Sequence, residues 1–115
     1  MKPVLLNQNI SNNIIPAEPL WKRVPTRDDD GKLLGDFMML IPHLNTFSGE
    51  KVQDIINRLN KLFCLYQDYI AFADLNFSIN VLWISHRQHS GIAIELAAAI
   101  HAVVPEAKLV AQHHE

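Results

Sequence analysis

Between Lys32 and His113 the apolar residues change spacing repeatedly, and the order of those changes limits the chain to very few architectures. Phe37 to Ile41 is an unbroken apolar run stopped by Pro42, too short for a stable helix and flanked as a buried strand is, so a first strand is expected over about residues 33–41. Val52, Ile55, Ile56, Leu59, Phe63 and Tyr66 then recur at helical spacing behind Ser48, a good N-cap, with Glu50 placed to favour the positive end of the helix. Two β-prone runs follow, Tyr69–Ala73 and Ile79–Ser85, and the residues between them (Asp74, Leu75, Asn76) read as a hairpin turn near Asn76. A second helix is expected from about Ser90, carrying Ile92, Leu96, Ala99, Ile100 and Val103 on one face and closed by Pro105, with Ser90 as its cap. Lys108–Gln112 supplies a last strand.

Strand, helix, strand, strand, helix, strand is the βαββαβ order of ferredoxin-like α+β folds. Right-handed crossovers then predict an antiparallel sheet in the order 4-1-3-2 with two helices on one face. Residues 1–31 have a different texture. Four of the six prolines lie there, interleaved with asparagines, so this part reads as an N-terminal arm and residues 32–115 as the ferredoxin-like domain. Asp28, Asp29, Asp30 and Gly31 form a polar turn into the first strand. Ile14, Ile15, Leu20 and Trp21 make part of the arm expected to dock, since burying each large side chain stabilises by about 1.5–3 kcal/mol.

A sheet covered on one side alternates apolar and polar residues. Here Phe37, Met39 and Ile41 point one way while Met38 and Leu40 point the other, and Val81 and Trp83 likewise oppose Leu82 and Ile84. The second face therefore needs a cover, and a homodimer to which the arm contributes is the expected one.

Composition excludes several roles. Ten basic against twelve acidic residues, with a pI near 6.3, leave no electrostatic footprint for nucleic acid. No stretch has the ~18 apolar residues of a membrane span, and Met1 to Pro16 lacks the apolar core of a secretory leader, so a cytoplasmic protein is expected. Cys64 is the single cysteine; its place in a helical apolar pattern predicts a small core residue.

The predicted topology sorts the remaining polar residues into two poles. One gathers His43, Asn45, Asp74 and Asn76, where His43, Asn45 and Asn76 are candidate ligand-binding residues. The other gathers His86, Arg87, His89, Ser90, His113 and His114. There the backbone N–H groups opening the second helix, with Arg87 and Ser90, suit a small anionic or amino-acid-like ligand. His86, His89 and His113 are the candidate metal ligands, since neutral imidazoles suit zinc, copper or nickel. No nucleophile has an adjacent base held by a third group, so no catalytic residue is assigned and no cofactor is required by the sequence.

From Lys32 to His113 the element order resembles ACT-like and dimeric α+β barrel modules, a likeness of architecture that rests on no family motif. It implies a regulatory module with its ligand at the loop after the first strand, here Pro42 to Ser48. That loop holds no Cys-x-x-Cys, as metal chaperones of this architecture carry, and no arginine, as acylphosphatases require. The resulting expectation is a small, non-enzymatic, homodimeric binding or regulatory module. The alternative is a metal-binding protein or small enzyme using the loop His86–Ser90.

Overall fold

The structure is a computed structural model, and it describes residues 7–9, 27 and 30–113. Its elements in chain order are β1 (Asn7–Asn9), β2 (Leu34–Leu40), α1 (Gly49–Leu65), β3 (Ile70–Asn76), β4 (Val81–Arg87), α2 (Ile92–Val103) and β5 (Lys108–His113). The sheet runs β1-β3-β4-β2-β5. Its last four members are the antiparallel sheet expected, since β5-β2-β4-β3 is the order 4-1-3-2. β1 was not foreseen. It adds a fifth, parallel strand beside β3, with Asn7 opposite Asp74 and Asn9 opposite Asn76, so the sheet as a whole is mixed. A polar Asn-Gln-Asn triplet carries no apolar alternation by which a strand could be recognised.

The core forms because β2, β3, β4 and both helices each carry an apolar face. Ile55, Ile56, Leu59, Leu62 and Phe63 of α1 and Ile92, Ala93, Leu96, Ala97 and Ile100 of α2 share a single buried cluster with Phe37, Met39, Ile41, Leu75, Leu82 and Ile84 from the sheet. Ser48 caps α1 by accepting a 3.2 Å hydrogen bond from the Lys51 N–H. Tyr66, at the end of α1, donates from its hydroxyl to Glu95 in the first turn of α2, and this hydrogen bond holds the phenol above its ordinary pKa.

The opposite face of the sheet is apolar at its centre, with polar groups buried beside it. Val81 and Leu34 are buried there and Met38, Leu40 and Trp83 are half-buried. Strand pairing sets Asp74 beside Trp83 and Ser85 beside Asp36, and both Asp74 and Ser85 are out of contact with solvent. The arm residues Ile14, Ile15, Leu20 and Trp21, expected to help cover this face, lie outside the described residues. Arg27 pairs with Leu33 and donates from its guanidinium to the Gly31 carbonyl, while Asp28 and Asp29 of the expected turn lie outside the described residues.

Three local expectations need correction. The β3–β4 turn occupies residues 77–80, and Asp74 and Leu75 belong to β3; Asn76 ends the strand by accepting from the Ser78 and Ile79 N–H groups. A buried Asp amid apolar neighbours mimics a turn in the sequence. Ser90 does not cap α2, because Gly91, in the left-handed region with φ 76°, occupies the cap position and Ser90 sits one residue outside it. Cys64 is exposed: the buried stripe of α1 passes through Leu62 and Phe63, and residue 64 turns out of it.

The α1 and α2 ends are joined by polar contacts on the far side. Lys51 and Glu106 form a 3.0 Å ion pair, and the lysine holds the glutamate below its ordinary pKa. Glu106→Gln is expected to cost less than about 1 kcal/mol, because both partners are more than a third exposed and water screens the pair. A lowered folded-state pKa stabilises above the ordinary glutamate value and ceases to do so as pH falls through the lowered one. Urea unfolding midpoints of the two proteins should therefore differ at neutral pH and converge in acid. Among the described residues no helix is long and apolar enough to cross a membrane.

Candidate functional site

β4 ends beside the start of α2, and the loop between them walls a cavity of about 480 Å³. It is lined by His86, Gln88, His89, Ser90, Gly91, Ile92, Ala93 and Ile94. The local path is set by three backbone features. Arg87 N–H bonds the Tyr69 carbonyl at 2.7 Å and keeps β4 paired to its end. Ile92 N–H then bonds the His89 carbonyl, and Gly91 supplies the positive φ that lets the chain turn into the helix at once.

His86 is the residue this arrangement singles out. It is 2% exposed, packs its ring 5.9 Å from that of Phe37, and pairs across the sheet with Gly35. The pairing explains the glycine. A Cβ at position 35 would stand 2.7 Å from His86 Cε1 and 3.1 Å from both His86 Nε2 and Gln88 Nε2, so only a residue without a side chain leaves room for the imidazole. His86 Nδ1 lies 3.1 Å from the Arg87 carbonyl. A carbonyl can only accept, so Nδ1 carries a proton, and in the neutral form of the ring the lone pair is then on Nε2. That nitrogen is buried and has no hydrogen-bond partner among the described residues.

Of the residues singled out in sequence, His86, His89 and Ser90 share the wall of this cavity. His89 is exposed and packs its ring 5.3 Å from that of Tyr69. Arg87 pairs with Leu34 on the other face of the sheet and reaches the Asp68 carbonyl at 3.4 Å; it is not among the lining residues. His113 pairs with Asp36 through the backbone of β5, while its side chain, like the whole of His114, lies outside what is described. Among the described residues no three His, Cys, Asp or Glu side chains gather as a metal site.

At the other pole backbone groups of His43 and Asn45 and the Asn76 side-chain oxygen bond within the fold. Asn45 N–H donates to the Asn80 side chain at 2.9 Å, and the side-chain oxygen of Asn76 serves the turn. His43 is exposed with φ 66°, and its carbonyl accepts from the Thr46 hydroxyl and N–H. A second cavity of about 310 Å³ is bordered by the ion-paired Lys51, Glu106, Asp54 and Arg58.

Sequence reading passed over Gly35. An isolated glycine inside a strand pattern does mark a close approach, and Gly35 beside Phe37 has that form. What approaches it was beyond the pattern. No family model, curated protein or solved structure matches the chain.

Proposed function

We propose that the chain is a non-enzymatic ligand-binding or regulatory module of the ferredoxin-like, ACT-like type, holding a small anionic or amino-acid-like molecule in the cavity at the start of α2. The observation that carries this reading is the cavity itself, which gathers His86, His89 and Ser90 beside the opening N–H groups of α2. A volume of about 480 Å³ falls within the range of small-molecule sites. The reading includes a homodimer formed through the outer sheet face, supported by the apolar Met38, Leu40, Val81 and Trp83 there, and a cytoplasmic setting, with which a lone exposed cysteine agrees. Neither nucleic acid nor a membrane is a partner in it.

A thermal-shift screen of organic acids, amino acids, nucleotides and divalent metals tests the binding. Ligand at 100 times its dissociation constant adds about 2.7 kcal/mol, and that gain should vanish in Ser90→Trp, which fills the exposed rim. Stabilisation that persists in Ser90→Trp would place the ligand elsewhere. A second reading, a metal-binding protein or small enzyme on the same loop, draws on His86 and His89 sharing one wall. Stabilisation by zinc, copper or nickel alone selects it. Sedimentation as a monomer at tens of micromolar would remove the dimer.

A further inference from the structure

We infer that residues 10–26, the link from β1 to β2, cross the outer face of the sheet of their own protomer and lay Ile14, Ile15, Leu20 and Trp21 on the apolar strip formed by Met38, Leu40, Val81 and Trp83. The N-terminal arm is then a layer of the fold, and the occupant of that face is a segment of this chain.

Strand directions decide the face. β4 is antiparallel to both β2 and β3, and β1 is parallel to β3, so β1, β2 and β3 all run the same way. A link between parallel strands of one sheet passes over one of its faces, and such crossovers take a single, right hand. From β2 to β3 the chain steps toward β1 and carries α1 over one face; from β1 to β2 it steps back past β3 and β4. Equal hand with opposite travel requires the opposite face. Because α1 and α2 share a single buried cluster, the face left for residues 10–26 is the one neither helix covers.

The two ends of the segment agree with this path. Asn9 lies opposite Asn76, at the end of the sheet where β2 finishes, whereas Arg27 bridges to Leu33, just before β2 starts. The link must span about three strand spacings and the length of β2, a diagonal of roughly 25 Å. Seventeen residues reach about 55 Å when extended, so the crossing fits within one protomer. Pro16, Pro19 and Pro25 disfavour a helix and suit an extended segment that asks for no ladder hydrogen bonds.

The face carries the complementary signs. Leu34, Val81, Asp74 and Ser85 are buried on it, although both helices lie on the other side. Trp83 Nε1 is buried with no partner among the described residues, and a carbonyl of the crossing segment is the acceptor such a donor needs. One extended segment covers only part of a sheet five strands wide, and in the proposed dimer a second protomer rests on the remainder.

Nuclear Overhauser contacts in the full, unaltered chain test the crossing. At least one of Ile14, Ile15, Leu20 and Trp21 should show contacts to the Met38 methyl or the Trp83 ring. In a mixture of labelled and unlabelled chains, filtered for contacts between chains, those contacts should be absent. As a second readout, Leu20→Asp with Trp21→Asp should make the Trp83 indole N–H exchange with solvent at least about tenfold faster, the worth of one large apolar side chain kept from water. Contacts from these four residues only to α1 or α2, contacts found only between chains, or no contact to the outer face overturns the inference. So does an unchanged exchange rate at Trp83 in a folded variant. None of these outcomes bears on ligand binding in the cavity at α2, which the thermal screen decides separately.

Discussion

Phe37→Ala is expected to lower the unfolding free energy by about 3–5 kcal/mol, the largest effect of any single substitution considered for this chain. Phe37 lies in β2, between β4 and β5, is wholly shielded from solvent, and belongs to the cluster in which both helices meet the sheet. Truncation removes the transfer free energy of the ring and leaves a void that the strand pairs on either side, with Ile84 and Gln112, hold open. Domains of this size are stable by only about 5–15 kcal/mol, so the variant should unfold at a much lower urea concentration and populate unfolded chain on warming. Phe37→Leu, which retains more of the volume, should lose less. Because the Phe37 ring also bears on His86, the alanine variant should bind any ligand of the cavity more weakly, even at temperatures where it remains folded. A Phe37→Ala midpoint close to that of the unaltered protein would show that the cluster is not organised around this strand.

Gly35→Ala should have the second largest effect, and its sign is informative. A glycine inside a strand ordinarily costs roughly 0.5–1 kcal/mol relative to alanine, so the substitution would stabilise at a roomy site. Here the new methyl would meet His86 Cε1 at 2.7 Å, and the ring cannot simply withdraw because Phe37 stands beside it and Nδ1 is held by the Arg87 carbonyl. Overpacking of this kind costs about 1–3 kcal/mol. The physical cause can be isolated with His86→Ala. If the clash with the imidazole is responsible, the double variant should lose clearly less than the two single losses added together. Strict additivity would mean that Gly35 answers to something other than the ring.

Both effects centre on a residue whose importance was only half legible. His86 was visible as a histidine near the start of a helix, and the loop to which it was assigned does line the cavity. Its burial was not visible, because it depends on a glycine 51 positions earlier arriving opposite it through strand pairing. Ser90 illustrates the reverse case. Its type suits a cap so well that local rules chose it, while the left-handed Gly91 placed the cap one residue later. Cys64 failed for a similar reason: apolar spacing allowed it on the buried stripe of α1, and the packing of Leu62 and Phe63 used the neighbouring angle. At the opposite pole Asn45 and Asn76 were read as ligand groups because exposed amides suit both tasks. The Asn76 side-chain oxygen accepts from Ser78 and Ile79 in the turn, whereas Asn45 contributes its backbone N–H to the Asn80 side chain.

Local periodicity by itself determined the order βαββαβ, the two helix faces and the antiparallel arrangement 4-1-3-2, because a short apolar run and a helical repeat each bury only in one way and crossovers take one hand. Tertiary structure alone decided that Asn7–Asn9 joins the sheet, that Asp74 and Ser85 are buried on its outer face, and that Gly35 opens a hollow for His86. These are properties of residues far apart in sequence meeting across strands, and no local pattern encodes which partner will arrive.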